Sequence, residues 1–110
     1  KQLAIPASID TITSSNGQED HVSMGANAAT KLYRILQNTL SILAIEWLNA
    51  CQALDFRSFP SSPAIEHARA EFRKQVSRMD TDRYLHPDMQ AATKFIAALN
   101  LDLLGDRNSK

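Results

Sequence analysis

"LSILAIEWLNACQAL", residues 40–54, is the stretch whose reading decides the fold. Its apolar side chains do not keep to one narrow stripe. Ile42, Leu43, Ala44, Ile45, Trp47 and Leu48 cover most of the circumference of a helix. A helix that is apolar nearly all round is buried on nearly all sides. The sequence offers only two further short helical patterns, which is too little surface to bury it. The expectation is an all-α fold in which a long central helix and two shorter helices form part of a larger helical bundle.

Working outward, the same period extends in both directions. Leu32, Ile35, Leu36, Leu40, Leu43, Trp47, Leu48, Cys51 and Leu54 recur at three- and four-residue steps, and neither Pro nor Gly interrupts 26–57. This predicts a helix from Val22 to Asp55, roughly 30 residues and about 45 Å long. Residues 1–21 read as an irregular lead-in, broken by Pro6, the Ser/Thr-rich "TITSS" and Gly17. After the break at Pro60 and Pro63, Ser62 can cap a second helix that has Pro63 at its first position. That helix is expected to reach Met79, with Ile65, Ala68, Phe72 and Val76 on one face. "DTDRYLHPD" reads as a loop in which Asp80, Asp82 and Arg83 make local ion pairs. A third helix is expected over Pro87–Leu99, followed by a polar tail beyond Gly105.

Composition narrows the function classes. The chain has 110 residues, 12 basic and 12 acidic, so its formal net charge is zero. A nucleic-acid partner, which calls for a clustered basic excess, is not expected. No run approaches the about 18 uninterrupted apolar residues of a membrane span, and no apolar leader follows Lys1. The one cysteine, Cys51, lies in an apolar helix and has no partner for an internal disulfide. It reads as a small buried hydrophobe in a reducing, cytoplasmic protein. Trp47 is expected in the core or at a subunit interface, and Glu46, inside an apolar run, needs a partner. Without an initiator Met, the chain is expected to be a piece of something longer.

The polar stretch "SSNGQEDHVSMG", residues 14–25, carries Gln18, Glu19, Asp20 and His21 in one row. Three readings compete. As a helix start, Ser15 and Gln18 have capping-box spacing, and Glu19 and Asp20 fall where the helix dipole favours negative charge. As a metal site it is poorly spaced, because Glu19 and His21 are two apart, and neither His-x-x-x-His nor Cys-x-x-Cys occurs; no metal is expected. As an active-site edge, it delivers a carboxamide, a carboxylate and an imidazole beside a helix N-terminus. There Glu19 could accept from a cationic group or act as a base.

Three segments carry a resemblance that bears on this choice. "PASIDTITSSNGQEDHVSMG" (6–25), "ILAIEWLNACQALDFR" (42–57) and "DTDRYLHPDM" (80–89) together resemble, in order, the C-terminal segment of the histidine ammonia-lyases, within the aromatic amino acid ammonia-lyases. The resemblance implies a large, mostly α-helical homotetramer whose long helices pack into a central bundle. It implies elimination of ammonia from L-histidine to give trans-urocanate. The electrophile implied is a methylidene-imidazolone (MIO) formed from an internal Ala-Ser-Gly triplet. It places the active-site glutamate on Glu19 and a pocket-shaping neighbour on Gln18, so that Glu19 is the catalytic candidate and Gln18 and Glu19 the substrate-binding ones. Phenylalanine ammonia-lyases carry glutamine at the Glu19 point. Asp20 and His21 are assigned structural support. On this basis 1–21 is an active-site lead-in loop and 22–110 the C-terminal helical segment of a lyase subunit.

The chain departs from the family in what it lacks. It contains no Ala-Ser-Gly triplet, and Tyr33 and Tyr84 match no catalytic tyrosine of the family. "SSNG" before Gln18 also differs from the family's usual residues. The isolated chain is therefore expected to be catalytically inert. Two alternatives stay open: a tyrosine or phenylalanine ammonia-lyase or aminomutase of the same family, or a non-catalytic helical oligomerisation module.

Overall fold

The computed structural model describes residues 1–7, 12–19 and 21–99; Asp20 and the polar tail, to which the sequence assigned roles, lie outside them. Three α-helices dominate: α1 (Gly25–Leu54), α2 (Pro63–Arg73) and α3 (His86–Ala98). Two single 3-10 turns, Gln2–Ala4 and Ser15–Gly17, precede α1. The described residues contain no strand, only one isolated antiparallel bridge between Ser14 and Glu19. The chain is all-α. No described helix is long and apolar enough to cross a membrane. Two compact units divide the chain, one comprising Lys1–Thr39 and the other beginning at Leu40.

The core of the second unit follows from helical periodicity. Ala44, Trp47, Leu48 and Cys51 of α1 meet Phe72 of α2, Val76 just beyond it, and Ala91, Ala92, Phe95 and Ile96 of α3. The spacings on α1 and α3 are the three- and four-residue steps that put side chains on one face. Three aromatic rings fill the centre. Trp47 meets Phe72 edge-on at 6.2 Å between centroids and stacks with Phe95 at 6.3 Å, while Phe72 and Phe95 are 5.2 Å apart. Alanines 44 and 92, fully buried, leave room for those rings. Trp47 Nε1 is buried without an acceptor among the described residues.

Polar clamps fix the connections. Asp55, just past α1, accepts from Arg69 Nη1 at 2.7 Å and from Arg73 Nη2 at 2.6 Å, tying the end of α1 to one face of α2. Ser62 caps α2 by accepting from the Ile65 N–H, and Pro63 opens the helix, as expected. Glu66 reaches back to accept from the Ser61 N–H at 2.8 Å and also binds Arg69. These contacts, Ser61 first, hold its carboxyl below the usual carboxylate range. The loop before α3 hangs on Arg83, which donates to Asp88, to the Ser77 hydroxyl and to the carbonyls of Ser77 and Arg78. Asp80 pairs with Arg78 at the surface.

Two expectations need adjustment. α1 starts at Gly25 rather than Val22: Met24 C=O accepts the first helical bond, from Ala28, and Ser23 Oγ accepts from the Gly25 N–H. α2 stops at Arg73, short of Met79. The chain tightens into a turn through Lys74–Val76, which still buries Val76. Beyond the turn, the Gln52 carboxamide captures the Met79 backbone, donating to its C=O at 2.9 Å and accepting from its N–H at 3.1 Å. Glu46 is exposed in the chain alone. The surplus apolar surface on α1 is real: Leu32, Tyr33, Leu36, Ile42 and Leu43 all remain exposed.

Truncating the fully buried Phe72 should therefore open a cavity between all three helices. Phe72→Ala is expected to lower unfolding free energy by about 3–5 kcal/mol in denaturant titration. Asp55→Ala, which strips two guanidinium groups of their common acceptor, should cost roughly 2 kcal/mol, between the values for exposed and buried pairs.

Candidate functional site

The row of polar residues proposed from sequence does not open a helix. Ser15, Asn16 and Gly17 have φ of 52°, 57° and 84°, three successive residues in the left-handed region. Asn and Gly enter that region readily, whereas Ser does so at some cost. The turn they make is closed from both sides by backbone bonds. Ser14 N–H donates to the Glu19 carbonyl at 3.1 Å. The Ser14 carbonyl accepts from Gly17 N–H at 3.1 Å and from Glu19 N–H at 3.3 Å. Gln18 N–H donates to the Ser15 carbonyl at 3.2 Å.

This corrects the capping-box reading of Ser15 and Gln18. Glu19 lies six positions before the first residue of α1, and no acidic residue occupies that helix's first turn. The helix dipole, which acts within about one turn, does not account for Glu19. The signal that could have found the turn was Asn16-Gly17, a strong turn dipeptide, read above only as punctuation.

At this turn the structure brings Ser14 and Glu19 together. Ser14 Oγ donates to Glu19 Oε2 at 2.7 Å. Glu19, Gln18 and His21 are exposed. Gln18 sits next to Glu19 along the backbone, with its amide tied into the turn. An ionised carboxylate with one oxygen held and the other open can accept from an ammonium or an imidazole N–H, or take up a proton. Sequence reasoning named Glu19 and Gln18 but missed Ser14.

No other cluster among the described residues offers comparable chemistry. No group of three or more His, Cys, Asp or Glu residues there is arranged to hold a metal ion. Around Asp55, the arginines are engaged in joining helices. The small pocket bordered by Leu48, Gln52, Arg73, Met79 and Arg83 lies among the same clamps.

Comparison with known proteins places this geometry in context. The family model described as aromatic amino acid lyase matches residues 1–74. The chain is 49% identical over 105 residues to a histidine ammonia-lyase of Photorhabdus laumondii, covering 94% of this chain and 20% of that protein. It is 44% identical over 109 residues to one of Pseudomonas fluorescens, covering 98% and 21%. In three dimensions it is similar to the crystal structure of histidine ammonia-lyase from Trypanosoma cruzi, with a TM-score of 0.82 and 35% identity over 87% of this chain and 19% of that one. The chain thus spans about a fifth of the length of the relatives it matches.

Cys51 is a fully buried free thiol whose pKa is pushed up to about 11, chiefly by burial. At pH 8 only about one thiol in a thousand is then thiolate, the reactive form. Cys51 should resist iodoacetamide at pH 8 in the folded protein and react promptly in denaturant, a contrast that mass spectrometry of the alkylated chain measures directly.

Proposed function

This chain belongs to the aromatic amino acid lyase family, and from that premise we propose that it is the C-terminal part of an ammonia-lyase subunit acting on L-histidine, releasing ammonia and trans-urocanate. The observation that carries the substrate choice is the carboxylate at Glu19, one oxygen of which accepts from the Ser14 hydroxyl, in a chain whose relatives are histidine ammonia-lyases. A carboxylate suits an imidazole N–H, an acceptor for a donor, and a charge-assisted bond of that kind orients the ring strongly. Gln18, its neighbour, offers both a donor and an acceptor to shape the pocket.

In the parent, a methylidene-imidazolone supplies the electrophile that makes the amino group a leaving group. These 110 residues contain no Ala-Ser-Gly triplet, so that group is contributed by other parts of the parent. The share of this chain is to bind and orient the substrate through Glu19 and Gln18. On this reading the parent is a cytoplasmic homotetramer. The exposed apolar residues of α1, among them Leu36, Ile42 and Leu43, support its burial against other helices there. Those same residues favour a second reading, in which the chain by itself serves only for helical assembly.

The test offers the full-length parent L-histidine, L-tyrosine and L-phenylalanine separately. Ammonia and urocanate from histidine alone are expected. Turnover of tyrosine or phenylalanine without histidine would move the parent to another branch of the family. Glu19→Gln should lower kcat on histidine by roughly a hundredfold or more, the scale of a lost acid–base or orienting group, with the fold unchanged by circular dichroism. Full activity in that variant removes Glu19 from the site. The 110-residue chain alone should release no ammonia from any of the three.

A further inference from the structure

We propose that Ser14 is a positioning residue for the Glu19 carboxylate, an inference that rests on the reading of Glu19 as a substrate-contacting group. The two residues are paired twice over. Their backbones exchange both N–H···O=C bonds, 3.1 Å and 3.3 Å long, in an isolated antiparallel bridge. Directly opposed residues of such a pair project their side chains to the same face. The Ser14 hydroxyl is thereby within reach of the carboxylate, and at 2.7 Å it makes a short, charge-assisted bond to Oε2.

The geometry gives this bond a specific consequence. Glutamate has three rotatable side-chain bonds, and in this exposed turn the Ser14 hydroxyl restrains its carboxylate. A hydroxyl has one proton to donate, so Ser14 fixes one oxygen and leaves Oε1 to receive a substrate donor. Pre-orienting a group in this way acts on turnover, because the reacting arrangement no longer has to be found by side-chain search. The left-handed run Ser15–Asn16–Gly17 makes the pairing possible, since it folds the chain back so that Ser14 and Glu19 face each other. Ser14 itself is in extended backbone, φ −129° and ψ 179°, where a β-branched residue is equally at ease.

The test uses the full-length parent with L-histidine. Ser14→Ala should lower kcat about tenfold, the scale of one hydrogen bond to a charged group, with KM moving less than kcat. Ser14→Thr, which keeps the hydroxyl, should restore turnover. In a Glu19→Ala background, Ser14→Ala should add no further loss, because the group it positions is gone. If Glu19→Ala is impaired but Ser14→Ala turns over like the natural enzyme, the positioning role is overturned while the reading of Glu19 stands. An equal loss from Ser14→Ala in both backgrounds overturns it in favour of a purely structural hydroxyl. If Glu19→Ala itself keeps full activity, the premise fails and the proposal with it.

Discussion

The contact among Trp47, Phe72 and Phe95 is what the second unit is organised around. Each helix contributes one ring, and the three centroid separations fall between 5.2 and 6.3 Å, the range of favourable edge and offset contacts. Small residues at Ala44, Cys51 and Ala92 sit fully buried beside them, and Leu48, Val76 and Ile96 complete the cluster. Once the rings are packed, the ends of α1 and α2 lie close enough for Asp55 to reach two arginines. The loop after α2 likewise lies close enough for Gln52 to bind the Met79 backbone. The polar clamps refine an arrangement that the apolar contact creates. They are only partly buried, so their individual contributions are modest beside the loss of a ring.

The same helix supplies the core and an excess that the core does not use. α1 buries Ala44 and Cys51 completely while leaving Leu36, Ile42 and Leu43 exposed. Large apolar side chains left exposed on one helix favour contact with other protein. It agrees with the coverage of the relatives, of which this chain is about a fifth. Residues 40–54 thus carry information about the surroundings of the chain as well as about its own fold.

What could be read from the sequence divides along the same physical line. Helix faces were legible because periodicity reports burial directly: Phe72 and Val76 were placed on one face, and both are buried. The cap at Ser62 and Pro63 was legible because that chemistry is local. The end of α2 was not. Val76 continues the helical spacing although the backbone has already turned, so the pattern survives where the helix does not. The competitor was the Gln52 carboxamide, 27 positions away from Met79 in sequence, and no local window contains it.

Around Glu19 the misreading came from competing local signals. Ser15 with Gln18 has the spacing of a capping box, and acidic residues do favour helix starts. Yet the same segment contains Asn16-Gly17, and two residues that tolerate positive φ favour a reversal over a helix. The reversal wins, and the chemistry changes with it. A carboxylate in a helix's first turn accepts from the helix's own N–H groups, and those bonds occupy it. Closed instead in a bridge with Ser14, Glu19 accepts from the Ser14 hydroxyl on Oε2, a bond that does not occupy Oε1. On the proposed reading of Glu19, a turn is a better mount than a helix start, and the left-handed φ of Ser15 is the strain it carries.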